Sequence, residues 1–230
     1  MRLCSTLILA HEITKGMKSI GSKALLQIHN QSILDYQISY IAHYYPESKT
    51  CIATGFEHDK IRKKISKYPN VECLFNPDYE YSNNGKSLQL YLESHNPKNL
   101  LIINNGILFT NKLKLSNSNT IYSLKKQKNG FHLGSNHNNN NIYYIFYDLP
   151  LVWSECILLN EESIAKLKKI ILHRDISQLF LFEIINLLLE ENINIISETI
   201  DNKDIIKITN HKDLYKIKNY EKNICTKFTK

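Results

Sequence analysis

The stretch SKALLQIHNQSILDYQI (Ser22–Ile38) decides the fold. Lys23 stands just before an apolar turn, Ala24-Leu25-Leu26, and a polar break follows at His29-Asn30-Gln31. Ser32 then opens an amphipathic helix. Serine is a strong N-cap because its side-chain oxygen accepts an otherwise unpaired backbone N–H, and Ile33, Leu34, Gln37, Ile38 and Ile41 recur at helical spacing. Immediately upstream, Leu3–Ala10 (LCSTLILA) is a continuous apolar run, the pattern of a strand covered on both faces. Between the two lies a polar loop, His11–Gly21, carrying Gly16 and Gly21. A strand, a loop with a phosphate-sized gap, a lysine and a helix follow one another, an order that suits a nucleotide.

The same rhythm continues outward. Thr50–Gly55 is a second short strand, Glu57–Lys67 a charged helix with Ile61 and Ile65 inward, and Val71–Phe75 a third strand broken by Asn76-Pro77. Tyr79–Gly85 reads as a loop and Lys86–Ser94 as a helix with Asn83 or Asn84 as its N-cap. Asn99–Asn104 is a fourth apolar strand ending at an Asn105-Gly106 turn. Alternation of this kind predicts an α/β fold, Rossmann-like, with a mixed, mainly parallel sheet flanked by helices and right-handed crossovers.

After Phe109 the pattern changes. Thr120–Leu124, Phe131–Gly134 and Ile142–Asp148 read as antiparallel strands, and the asparagine run Asn138–Asn141 as an exposed loop. Pro150–Asn160 is apolar and holds the sole tryptophan, Trp153. Glu161–Leu172 and Ile176–Glu191 are expected helices, Ile193–Ile196 and Asp204–Ile208 late strands, and His211–Tyr220 a terminal helix. With no linker and no repeat, one domain over 1–230 is expected, 1–110 forming a nucleotide-binding half and 111–230 an acceptor half.

Hydrophobic residues make up 43% and charged residues 22%, so a sizeable core forms and disorder is not the default. The net charge of +7 suits phosphorylated ligands, and the lysines are too dispersed for a nucleic-acid-binding arm. Cys4, Cys51, Cys73, Cys156 and Cys225 are scattered, without metal-ligand spacing, which points to the reducing cytoplasm. The first apolar run is too short to span a bilayer, so no membrane partner is expected. Self-association into a homo-oligomer stays open.

Several strings resemble the nucleotidyltransferases that join a nucleoside triphosphate to a sugar phosphate or to phosphocholine. LAHEITKGMKSIGSKALLQI (Leu9–Ile28) is similar to that family's LAAGxGxRM loop followed by PKxLL, with Met17 on its methionine and Lys23 on its lysine. NPDYEYSNNGKSL (Asn76–Leu88), LLIINNGILF (Leu100–Phe109) and IKITNHKDL (Ile206–Leu214) resemble its later motifs in the right order. The resemblance implies a fold shared with glycosyltransferases and attack of an acceptor phosphate on the α-phosphorus of the nucleotide, with pyrophosphate leaving. It implies Lys23 as the catalytic residue, with Ala10, Lys15, Lys23, Asn83, Ser87 and Asn105 against the nucleotide.

The departures from the family fall on its chemistry. Glu12, Thr14 and Gly16 replace glycines and an arginine, and a carboxylate at Glu12 repels a triphosphate, by about 4 kcal/mol for two unit charges 4 Å apart at an effective dielectric of 20. Lys15 and Lys18 supply part of the lost positive charge. The metal-holding aspartates fall on Gly106 (or Asn105, one residue out of register) and on Thr209. The implied Mg²⁺ therefore loses both charged ligands, and impaired transfer is expected. One alternative is that Glu12, Glu198, Asp201 or Asp204 replaces a lost carboxylate. The other is a non-catalytic binding or scaffold protein. The loop nearly spells a P-loop but has Ser22-Lys23 where Lys-Ser/Thr is required.

Overall fold

The computed structural model describes residues 2–13, 18–125, 132–210 and 212–214. The first strand, β1 (Ser5–Ala10), is buried at every position. Leu7 and Leu9 enter one core layer and Ile8 and Ala10 another, so alternation within an all-apolar run places it in the middle of a sheet. The Ser22–Ile38 stretch begins with a 3₁₀ turn at Lys23–Leu25. Its polar break is a small hairpin of β2 (Gln27–Ile28) and β3 (Gln31–Ser32), with His29 at φ 54° in the turn. Helix α1 (Ile33–Tyr44) is capped as its sequence demands. The Ser32 side chain accepts from Asp35 N–H, and Asp35 accepts from Ser32 N–H in return.

The chain continues as β4 (Lys49–Thr54), α2 (His58–Ile65), β5 (Val71–Phe75), α3 (Asn84–Ser94), β6 (Asn99–Asn104) and β7 (Ile107–Phe109). The rest follows as β8 (Asn119–Lys125), β9 (Leu133–Asn138), β10 (Asn141–Tyr147), β11 (Leu151–Asn160), α4 (Glu161–His173), α5 (Leu181–Glu190), β12 (Ile195–Ile200) and β13 (Ile205–Lys207). Nine strands form one sheet in the order β5-β4-β1-β6-β11-β8-β12-β10-β9. The first four are mutually parallel, β11 runs antiparallel to β6 and β8, and β12 is parallel to β8. This is the expected α/β architecture. Leu88 of α3, Leu167 of α4 and Ile184 of α5 share one core layer with Leu7, while Leu34 of α1 and Ile61 of α2 share another with Ile8. Asp35 ties α1 to the α2 side, accepting from Tyr68 Oη at 2.7 Å and pairing with Lys64 at 2.8 Å and Lys67 at 3.1 Å.

Two regions differ from the sequence-based reading by more than a shift of their ends. Asn138 and Asn141 belong to strands, and only Asn139 (φ 48°) and Asn140 (φ 67°) make the turn. A two-residue type I′ turn takes positive φ at both positions, and asparagine tolerates it, so the run closes a tight hairpin whose tip is exposed, as expected. Helix α5 starts at Leu181, because the carbonyls of Ser177 and Leu179 accept from Asn83 N–H and Gly85 N–H at the start of α3. A Cβ on Gly85 would stand 1.8 Å from Ile176 O, so only glycine permits that packing. Of the terminal helix expected over 211–220, residues 212–214 are described and are helical; the others lie outside the described residues, as does Phe131.

Candidate functional site

The carboxyl ends of β1 and β6 meet the bulge of β11 and the end of β13, and that junction carries the polar groups. In an open α/β sheet ligands bind beyond the carboxyl ends of the strands. Gly106 turns the chain after β6 with φ +96°, and a Cβ there would lie 3.2 Å from Lys23 Cε and 2.5 Å from Ile208 O. The missing side chain therefore lets Lys23 lie along the turn. Among the described residues the Lys23 ammonium makes no hydrogen bond or ion pair, while its carbonyl accepts from Leu26 N–H. The loop end before it is fixed by Glu57, whose carboxylate accepts Ser22 N–H at 2.7 Å.

Glu155 is the carboxylate that sequence reasoning missed. It sits in an irregularity of β11 between Trp153 and Ile157, at φ 61°, a left-handed backbone that side chains rarely adopt. Its carboxylate pairs with Lys207 of β13 and accepts from Asn104 Nδ2 at 2.8 Å. Burial pushes this carboxyl up, but Lys207, Asn104 and the charge of Lys23 outweigh it and hold Glu155 below the usual carboxylate range. A signal was present in the sequence: one charge inside the apolar strand LVWSECILLN needs a partner, since an unpaired buried charge is expensive.

The other expected residues are placed as follows. Ala10 is buried at the end of β1. Lys15 lies outside the described residues. Asn83 stands at the N-cap position of α3 without a side-chain cap, its amide donating to Gln178 O at 2.6 Å. Ser87 is fully buried and accepts from Asn76 Nδ2 at 3.2 Å. Asn105 is buried, its backbone N–H donates to Leu9 O, and its side-chain oxygen has no partner among the described residues. The same holds for Asn104 Oδ1, Ser22 Oγ and both ring nitrogens of His11. Lys23 and Asn105 thus belong to one junction, while Asn83 and Ser87 are engaged in holding α3 and the loop before it.

Of the carboxylates considered as replacements, Glu12 alone faces this junction, accepting from Asn84 Nδ2 at 3.0 Å. Glu198 pairs with Lys114, Asp201 caps a 3₁₀ turn, and Asp204 accepts from Asn111. Thr209 gives its hydroxyl and N–H to Asp213 at 2.7 and 2.9 Å. Among the described residues no three His, Cys, Asp or Glu side chains converge as a metal set.

A cleft of about 240 Å³ opens from Glu155, Asn104, Asn84 and Glu12 toward Tyr147, Trp153, Phe180 and Phe182. One end is therefore ionic and the other aromatic. A larger cavity of about 500 Å³ lies beside Leu3 and Tyr45, before the start of β1, and its Arg2 and Lys114 are already paired with Glu47 and Glu198. No helix among the described residues is long and apolar enough to cross a membrane.

Solved structures of nucleotidyltransferases share this fold. The chain is similar to the CTP:phosphocholine cytidylyltransferase of Streptococcus pneumoniae, with TM-score 0.80 and 18% identity over 95% of this chain and 98% of that one. It is similar to the inositol-1-phosphate CTP transferase of T. maritima (TM-score 0.73, 12% identity, 96% and 98% covered). It is likewise similar to a putative glucose-1-phosphate thymidylyltransferase of Bacillus anthracis (TM-score 0.76, 13% identity, 94% of each chain). No protein-family model and no curated protein sequence matches the chain.

Proposed function

We propose that this protein binds a nucleoside triphosphate and a phosphorylated small molecule in the cleft beside Lys23, and that nucleotidyl transfer there is slowed by orders of magnitude. The observation that carries the reading is the position of Lys23 along the Gly106 turn, with no competing partner for its ammonium among the described residues, at the carboxyl ends of β1 and β6. A lysine held there neutralises phosphate charge. In the reaction the fold suggests, an acceptor phosphate oxygen attacks the α-phosphorus and pyrophosphate departs with the electron pair. Such transfer depends on positioning and on neutralising charge.

Magnesium fits this donor set poorly. It is held by charged oxygens, yet Asn105, Gly106 and Thr209 stand where the resemblance places its ligands, Thr209 is spent on Asp213 and Glu155 on Lys207. The slow transfer follows from that donor set. A second reading, a binding protein with no turnover, rests on the same pair.

The aromatic end of the cleft favours a cationic acceptor such as phosphocholine over a sugar phosphate. Tyr147, Phe180 and Phe182 supply aromatic rings and Glu12 negative charge, the combination that attracts quaternary ammonium groups. Pyrophosphate release, measured with a panel of nucleoside triphosphates, magnesium and either phosphocholine or glucose 1-phosphate, tests the reading. Slow release with phosphocholine, lost in Lys23→Ala, supports it, and binding without release supports the second reading. Fast turnover abolished by Lys23→Ala sinks the claim of impairment.

A further inference from the structure

We infer that the Lys207 ammonium is a built-in cation, doing at this site the work of a divalent metal ion, so that phosphates bind here without magnesium. The inference rests on the reading of the cleft as a nucleotide site and says how that site is charged.

Lys207 is delivered by structure. It ends β13, opposite Ile107 of β7, and the next residue donates Ile208 N–H to Gly106 O at 2.8 Å. That bond locks the end of β13 onto the same turn that Lys23 lies along. The Lys207 side chain is clamped by Glu155 and is about a quarter exposed, so it is not sealed from solvent. Glu155 is clamped in turn by Asn104. A carboxylate held by an ammonium and an amide is no longer available to a metal. Two lysines, Lys23 and Lys207, face two carboxylates, Glu155 and Glu12, so Lys207 is what keeps the junction from being net negative, and the unpartnered oxygens beside it, Asn104 Oδ1 and Asn105 Oδ1, carry no formal charge. Glu12 is held by Asn84 in the same cleft. The strained backbone of Glu155 fits this account, since unusual backbone persists where surrounding contacts over-determine it.

The test is titration calorimetry with inorganic tripolyphosphate and with CTP, each in EDTA and in magnesium. The wild type should bind with affinities equal within about twofold in the two conditions, and Lys207→Met should weaken binding in EDTA by about tenfold or more. Lys207→Arg keeps the charge and should keep the binding. If Lys207→Met fails to fold, Lys207→Gln, whose amide can still donate to Glu155, removes the same charge and should show the same weakening. In Lys207→Met the freed Glu155 should hold Mn²⁺ more tightly than the wild type does, read by electron paramagnetic resonance. Wild-type binding that tightens about tenfold or more with magnesium overturns the inference and leaves the nucleotide reading standing. Unchanged binding in both charge-removing variants also overturns it. No binding in any arm overturns both.

Discussion

Asn104 Nδ2 donates to Glu155 Oε2 at 2.8 Å, and Glu155 receives that bond from a left-handed backbone at φ 61°. The carboxylate is thus bought with local strain, and the two effects separate by mutation. Glu155→Gln keeps the strain and removes the charge that pairs with Lys207. Because the pair is only about a quarter exposed, we expect a loss of about 2 kcal/mol, below the 3–5 kcal/mol of a fully buried pair. Glu155→Gly removes the same charge but relieves the backbone, worth about 1 kcal/mol. It should therefore be the less destabilising of the two in urea unfolding. The opposite order would mean that the strain is worth less than the Asn104 bond, which Gln keeps and Gly loses.

Asp35 should dominate acid unfolding. Its carboxylate accepts from Ser32 and Tyr68 and pairs with Lys64 and Lys67. Burial pushes its carboxyl up, but Lys64, Ser32 and Tyr68 outweigh that and hold it well below the usual carboxylate range. A carboxyl depressed in the folded state contributes stability above its unfolded pKa, and that contribution is lost as pH falls toward the folded value. Asp35→Asn should therefore be clearly less stable at neutral pH and approach the wild type as pH falls below about 4. Urea titrations at several pH values would show the two curves converging; parallel curves would remove Asp35 as the cause.

His11 acts in a different window. It is fully buried at the end of β1 with both ring nitrogens unpartnered among the described residues. Burial lowers its pKa, with Glu12 opposing weakly. The unfolded chain then binds a proton that the folded chain resists, so stability falls as pH drops below about 6.5. His11→Leu should flatten the stability profile between about pH 7 and pH 5 while leaving the lower, Asp35-dependent limb in place. A wild-type profile already flat in that interval would contradict the neutral, buried state.

Much of the fold was legible because burial leaves periodic marks. The run Leu3–Ala10 announced a central strand, and Ser32 with Asp35 announced the start of α1. The nearness of Lys23 to the Asn105-Gly106 turn was legible through resemblance alone. Glu155 and Lys207 were not, because an ion pair joins residues whose separation along the chain carries no period; only the isolated charge in an apolar strand hinted at it. The start of α5 was hidden for a related reason. Ile176–Phe180 is apolar enough for a helix, yet its carbonyls serve Asn83 and Gly85, nearly a hundred residues earlier in the chain. The asparagine run was legible as an exposed connection but not as a tight turn, because composition reports polarity, whereas the turn depends on tolerance of positive φ at Asn139 and Asn140.

Trp153 offers a direct readout of the cleft. It is the sole tryptophan, is 1% exposed, and its Nε1 donates to Cys156 O at 3.0 Å. Its ring lines the cleft between Glu155 and the aromatic group of Tyr147, Phe180 and Phe182. Emission from the free protein should be that of a tryptophan shielded from water, and a ligand entering the cleft should change its intensity. Phosphocholine should do so at lower concentration than glucose 1-phosphate, because aromatic rings and a carboxylate attract the quaternary ammonium. Phe180→Ala should weaken the phosphocholine response by about 1 kcal/mol, or roughly fivefold, while leaving the triphosphate response in place. Lys23→Ala should do the reverse, because its charge acts on Glu155, at the ionic end of the cleft. If both variants weaken both ligands equally, the ionic and aromatic ends are not separate subsites, and the assignment of phosphate to Lys23 and headgroup to the aromatic end fails.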